Sequence, residues 1–512
     1  MFQAQQQWNF RYGPFEHRFR YQYVISRSDE ALDGFEARKL DALNIYSGKD
    51  LPVREVRDAT GALVGFVLGI AVGMQAEQSA AVVQLPFKKT SKIFWDHFEK
   101  YLDDAAGRYA FVMRARGQSR LYTDPVGMIG AVFNAEDGYV ASSVLLAIKR
   151  PLRPHPKYDF DVIRDLGGKL SLFHTADADV HRLNPNHYLD LDTLKTHRFW
   201  PRDIRFTPEP ADPTDTYREI IETARANIGA IAQDYPCSLP VSGGMDSRLL
   251  LAFAGEHLSK IKQFYTHINN YATRRDAAIA AELCRVCKID HEVHDKRNFG
   301  IARREVRLNK HAYELTYGAP ASPPREYQNG VIQGVPDGNV ILRGHQTDLL
   351  RAVYVFRPEA EWRDADWQIE RLFIVPRGDF NKDVADRFRE DFEAWQSDLP
   401  EPAMEKAADF MFLEVYYNSS IGASFPALWR NFYMSPYNSR RLITLSLMFS
   451  EARRRASAPV FELIEMMNSD LSKVPFDFEA PASLEIGAHW SKGAASTEKR
   501  RDRTVESLLK YA

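Results

Sequence analysis

Residues 237–252 read Cys-Ser-Leu-Pro-Val-Ser-Gly-Gly-Met-Asp-Ser-Arg-Leu-Leu-Leu-Ala. These types at this spacing suit the handling of a polyphosphate. A short apolar run breaks at Ser242-Gly243-Gly244 and resumes as a strong helix former, which reads as strand, tight turn and helix. Two glycines let the backbone turn sharply and come close to a ligand. N–H groups of the turn and of the first helical residues then converge on one spot, and the positive end of the helix dipole favours an anion there. Val241, Ser242, Gly243, Gly244 and Ser247 are the candidate contacts to phosphate. Asp246 is the odd residue in an anion site. A carboxylate beside phosphates makes most sense as a ligand of a bridging magnesium ion. The motif lacks the lysine of a Walker A loop, which argues against a kinase or P-loop NTPase.

The elements that position these residues follow from the patterning around them. Residues 1–200 carry short alternating runs, as at 108–114, 120–124 and 138–142, and read as a β-rich layer with some helices. A proline-rich stretch over 201–214 reads as a linker. From 215 onward strands and helices alternate: a helix over 215–233, strands over 263–267, 290–295 and 340–343, and helices over 275–288 and about 298–315. That alternation argues for a parallel sheet, with ligands beyond the carboxyl ends of its strands. Beyond 350 the chain reads as mainly helical.

The chain has 512 residues, 45% of them hydrophobic, and a formal net charge of −2. This fits two globular domains and gives no reason to expect nucleic acid or membrane as a partner. The N-terminus does not read as a signal peptide, and the longest apolar run, near 64–74, is too short to span a bilayer and reads as a buried strand. A cytoplasmic protein is the expectation. Cys237, Cys284 and Cys287 form no disulfide framework. Cys284 and Cys287 read as two small half-buried residues on a helix. His291 and His294, on a strand, point to opposite faces and cannot share a metal.

Ser242–Ser247 resembles the pyrophosphate loop of the N-type ATP pyrophosphatases, which split ATP to AMP and pyrophosphate, usually by adenylating a substrate oxygen. In the first half, residues 107–113, 121–127, 139–142 and 181–190 are similar to the glutamine-amidotransferase domain of asparagine synthetases. The resemblance implies a degenerate, β-rich αββα Ntn-hydrolase-like domain over 1–200, a linker over 201–214 and an ATP-binding synthetase domain over 215–512. Working glutaminase domains of that family use an N-terminal cysteine, whereas this sequence starts Met1-Phe2 and has no cysteine before Cys237. Glutamine hydrolysis is therefore not expected. β-Lactam synthetases and lasso-peptide cyclases, which have also lost the cysteine and close amide bonds, are the resembling cases.

Residues 340–348, Val-Ile-Leu-Arg-Gly-His-Gln-Thr-Asp, match the place where asparagine synthetases carry Ser-Gly-Glu-Gly-Ser-Asp-Glu. Gly344 and Asp348 keep the pattern, and the resemblance makes Asp348 the second magnesium carboxylate opposite Asp246. His345, Gln346 and Leu349 depart from it. In the family this position lies beside the reacting carbonyl, so the resemblance implies that His345 could take a proton from an attacking amine. The family also uses a late lysine to stabilise the adenylated substrate; Lys492 is the best match and Lys473 the second. Asp276 resembles an aspartate after the family's second strand, with N-capping as its plain structural role.

The expectation is thus an AMP-forming amide synthetase using ATP and magnesium. A small-molecule or peptide carboxylate would be adenylated and captured by an amine. The sequence is compatible with a homodimer. The alternatives are an inactive scaffold, an ammonia-dependent amidating enzyme and a base- or sulfur-modifying RNA enzyme.

Overall fold

Alternating and continuous burial sorts the N-terminal half of the chain into strands. The apolar run near 64–74 becomes the strand Leu63–Val72, buried along nearly its whole length. It pairs antiparallel with Ala106–Ala115, from Gly65 opposite Met113 to Val72 opposite Ala106. These two strands lie inside a seven-stranded sheet; a second sheet, of six strands, includes Tyr23–Ser26, Leu43–Gly48 and Tyr139–Ala141. The computed structural model describes residues 1–8, 12–73, 82–202, 204, 206, 212–352 and 364–480. The protein is of mixed α/β class: β-rich at its N-terminus, with a parallel sheet following and helices dominating the C-terminal part.

Two compact units are found. One holds Met1–Arg205, Arg307–Pro323 and Glu359–Arg430, and the other Phe206–Val306, Pro324–Pro358 and Asn431–Ala512. The first unit carries a buried charge network. Glu414 is fully buried and accepts hydrogen bonds from Arg198 (2.7 and 3.0 Å), Asn186 (2.9 Å), Asn184 (3.1 Å) and Trp395 (2.8 Å). Burial alone would raise its pKa, but the Arg198 guanidinium and the other donors outweigh it and hold the carboxyl below its ordinary value. A depressed carboxylate pKa gives stability that is present above the ordinary carboxylate range and is lost as pH falls through the folded value. Glu414→Ala leaves the buried Arg198 guanidinium with the part-exposed Asp398 as its remaining ion pair, removes the acceptor of Asn184 and Trp395, and is expected to cost about 3 kcal/mol at pH 7. Urea unfolding of wild type and variant at pH 7 and pH 4 checks this: the gap between them should narrow at the lower pH.

The second unit is built on a five-stranded parallel sheet in the spatial order Glu292–Asp295, Gln263–Ile268, Cys237–Pro240, Val340–Leu342, Phe432–Met434. In chain order this is 3-2-1-4-5. The order reverses between Cys237–Pro240 and Val340–Leu342, and the crevice beyond the carboxyl ends of strands at such a reversal is where open α/β sheets bind ligands. Both signature segments leave these two neighbouring strands. The predicted helices are present at Thr214–Asp234, Tyr271–Cys287 and Arg303–Tyr317. Phe432–Met434 interrupts the region read as helical; three buried residues are too few to show a period.

Candidate active site

The Ser-Gly-Gly loop spans the gap between Cys237–Pro240 and the helix Met245–Ala254, whose N-cap is Gly244. Its shape is set by its own serines. Ser242 N–H donates to Ser247 Oγ (3.0 Å), the two hydroxyls are 2.9 Å apart, and Gly244 N–H donates to Ser242 Oγ (3.3 Å). Gly243 N–H donates to the Asp276 carboxylate at 3.1 Å. A side chain at Gly243 would meet Ile279 Cδ1 at 2.6 Å, whereas one at Gly244 would meet nothing closer than Ser242 Oγ at 3.6 Å. The open approach is therefore at Gly244, where the helix begins. Three loop N–H groups that the sequence assigns to phosphate are engaged by side-chain oxygens. The donors left for an anion are the first amides of the helix, which have no intrahelical partner.

Asp276 does not cap its helix. Asn270 does so, in a capping box with Thr273, because the helix starts at Tyr271 rather than near 275. Asp276 falls inside the helix and faces the loop instead. Its carboxyl is raised by burial first, against the Gly243 N–H that lowers it and together with Asp477 that raises it further. A second brace comes from Arg248 on the loop's own helix. It donates to the carbonyls of Leu471 (3.1 Å), Val474 (2.5 Å) and Pro475 (2.8 Å), and its guanidinium lies 3.7 Å above the Phe476 ring. Asp477 N–H then donates to Gly243 O at 3.1 Å. Sequence patterning misses this brace because Arg248 reads as an ordinary charged helical residue.

The second segment leaves Val340–Leu342 as a turn held by three bonds. Thr347 Oγ1 donates to Gly344 O (2.6 Å), Ser435 Oγ to His345 O (2.8 Å) and Arg454 Nη1 to Leu349 O (3.1 Å). Gln346 takes a left-handed conformation, φ 69°, and is fully buried. The turn touches the loop helix directly. The single Thr347 Oγ1 proton is shared between Gly344 O and Asp246 Oδ1, which lies 2.9 Å away, and Arg351 Nη2 donates to Asp246 Oδ2 at 2.8 Å and also to Asp348 Oδ1. One nitrogen thus reaches both carboxylates, so Asp246 and Asp348 converge on a shared centre, as a pair of ligands for one magnesium ion would. Burial raises the Asp246 carboxyl to about 6, with Asp348 adding to the rise and Arg351 opposing it.

Gly344 makes this approach feasible, since an added Cβ would stand 2.7 Å from Asp246 Cβ and 2.9 Å from the Asp246 carbonyl carbon and oxygen. Backbone atoms cannot yield as side chains do. Gly344→Ala is expected to lower nucleotide affinity at least about tenfold by forcing the two segments apart. Calorimetry with a nucleotide analogue, beside a thermal melt, checks it.

Two separate stretches of sequence, one after each of two adjacent parallel strands, therefore supply one acidic centre beside a helix N-terminus. Residues 224–456 match the family model described as asparagine synthase. That span, a little under half of the chain, is asparagine synthase-like. The matched span holds both signature segments and all five strands of the parallel sheet. The family consists of ATP-using, amide-forming ligases. The comparison with curated proteins finds no match.

Within the matched span, His345 is half-buried beside Arg343 and Asp348. Burial first, and then the Arg343 charge, push its pKa down to about 3 against the opposing pull of Asp348. At neutral pH it is an uncharged imidazole and, in the ligand-free protein, a weak base. Arg343 and Arg351 are cations that sequence reading passes over: the family pattern has Ser where Arg343 stands, and Arg351 falls beyond its end. Lys492 lies outside the described residues. Lys473 is exposed and pairs with Asp470 at 2.6 Å.

The remaining candidates have structural explanations. His291 Nε2 lies 2.9 Å from Thr266 Oγ1, while His294 stacks on Tyr265, so the two imidazoles are on opposite sheet faces. Burial raises the thiols of Cys284 and Cys287 to about 12 and about 11, which leaves them protonated and unreactive. Among the described residues no cluster of three His, Cys, Asp or Glu side chains is arranged to hold a metal, and no helix is long and apolar enough to cross a membrane.

Proposed function

We propose that the protein is an ATP-dependent, AMP-forming amide synthetase that joins a substrate carboxylate to a substrate amine without hydrolysing glutamine. The convergence of Asp246 and Asp348 beside the Ser-Gly-Gly loop carries this reading. A carboxylate oxygen of the substrate attacks the α-phosphorus of ATP, the bond to the β-phosphate oxygen breaks, and pyrophosphate leaves. The amine nitrogen then attacks the acyl carbon, the acyl–phosphate bond breaks, and AMP leaves. The loop helix and the hydroxyls of Ser242 and Ser247 orient the pyrophosphate. Asp246 and Asp348 would hold magnesium, which neutralises charge on the leaving group when bound. His345 takes the proton released by the amine.

The amine is taken to arrive on the substrate itself, as in β-lactam synthetases and lasso-peptide cyclases, because no cysteine occurs among residues 1–236 to release ammonia from glutamine. Purified protein is expected to hydrolyse glutamine no faster than a blank, and glutamate release measured by a coupled assay checks this. Screening carboxylate- and amine-bearing compounds and peptides for AMP release tests the main reading. AMP production that requires both partner groups supports it, and ADP production would contradict it.

A further inference from the structure

We propose that Arg351 is a positioning residue: it holds Asp246 and Asp348 at a common centre before nucleotide binds, then yields that centre to the metal and turns to the phosphates. The inference rests on the metal assignment made above. Arg351 Nη2 bonds Oδ2 of Asp246 at 2.8 Å and Oδ1 of Asp348, and the three side chains are 15%, 34% and 18% exposed. Two carboxylates brought this close repel each other unless a cation lies between them. Here the cation belongs to the same short helical turn as Asp348, Thr347–Arg351. Thr347 fixes the other oxygen of Asp246 at 2.9 Å, so the carboxylate is oriented as well as neutralised.

The same carboxylate oxygens cannot serve both a guanidinium and a metal fully. Two carboxylates alone are a poor site for magnesium, which takes its remaining ligands from phosphate and water. Metal therefore displaces Arg351 only when phosphates arrive with it. The freed guanidinium stays on a turn that borders the site, and its forked donors match phosphate oxygens. Metal binding is thus coupled to nucleotide binding by a residue of the chain itself.

The test is a Mn²⁺ titration of the full chain by paramagnetic resonance, with and without α,β-methylene-ATP, in wild type, Arg351→Gln and Arg351→Lys. A parallel calorimetric titration follows the analogue itself with magnesium. Removing the competing charge is expected to raise Mn²⁺ affinity without nucleotide about tenfold in Arg351→Gln, and to lower analogue affinity by a similar factor. Arg351→Lys keeps a cation between the carboxylates and should stay near wild type in Mn²⁺ affinity without nucleotide, while its analogue affinity falls between those of wild type and Arg351→Gln because the forked donors are lost. A residue that only braces the fold would lower both affinities when removed, so Mn²⁺ binding alone that is unchanged or weaker in Arg351→Gln overturns the proposal. Absence of Mn²⁺ binding in every protein, even with the analogue, would instead overturn the metal assignment, and the inference with it.

Discussion

On the proposed function, Asp246→Asn is expected to abolish AMP formation while leaving the protein folded. The expected loss is at least about a thousandfold, because the change would remove one of the two carboxylates proposed to hold magnesium in the charge-stabilising part of the site. Stability should move the other way. Asp246 sits beside Asp348 and is raised to about 6 by burial, so folding opposes its ionisation at neutral pH. A carboxyl whose folded pKa is raised binds more protons in the folded than in the unfolded state between the two values. It therefore costs stability progressively as pH rises from the ordinary carboxylate range to about 6. A neutral amide removes that cost, and ligand-free Asp246→Asn should melt no lower than wild type at pH 7. The same shift predicts that metal-dependent nucleotide binding weakens as pH falls through about 6, since the ligand form is ionised. Calorimetric affinities from pH 5 to 8 check the sign; affinity that rises toward pH 5 would contradict it.

His345→Ala is expected to separate the two chemical steps. With a carboxylate identified by AMP release, ATP–pyrophosphate exchange should persist near the wild-type rate, while amide formation falls by about 10²–10⁴. The separation follows from position: Thr347 and Arg351 tie the signature turn to the loop helix through Asp246. Its pKa of about 3 in the ligand-free protein means that it is not a proton reservoir at neutral pH. The anionic phosphate of the adenylate, brought beside it, would raise its basicity in the step that needs it. Unchanged amide formation in the variant would remove His345 from the mechanism. Loss of exchange as well would show that the turn has been disturbed, and Ser435, which donates to the His345 carbonyl, would be the first place to look.

The part of the fold that places the site was legible because its signals are local. An apolar run, a glycine pair and a helix former identify the loop, and periodicity then locates the strands Gln263–Ile268 and Val340–Leu342. The strand Phe432–Met434 and the inclusion of 359–430 in the N-terminal unit were not legible, since each depends on contacts remote in sequence. Within the site, Asp246 was read from the chemistry of its loop and Asp348 from the family resemblance, and the structure brings both onto one Arg351 nitrogen. The partners were hidden. Asp276 was assigned to capping because the helix start was placed four residues late, and a carboxylate inside a helix shows its target only in three dimensions. Arg248 and Arg351 look like solvated charges until the carbonyls and carboxylates they hold are seen.

The most direct test of the central claim is calorimetric binding of α,β-methylene-ATP with magnesium to wild type and to Asp246→Asn. Binding by wild type that the substitution destroys is the predicted result. Binding that survives in the variant would contradict the assignment of Asp246 to the metal, and no binding by wild type would contradict the nucleotide site itself.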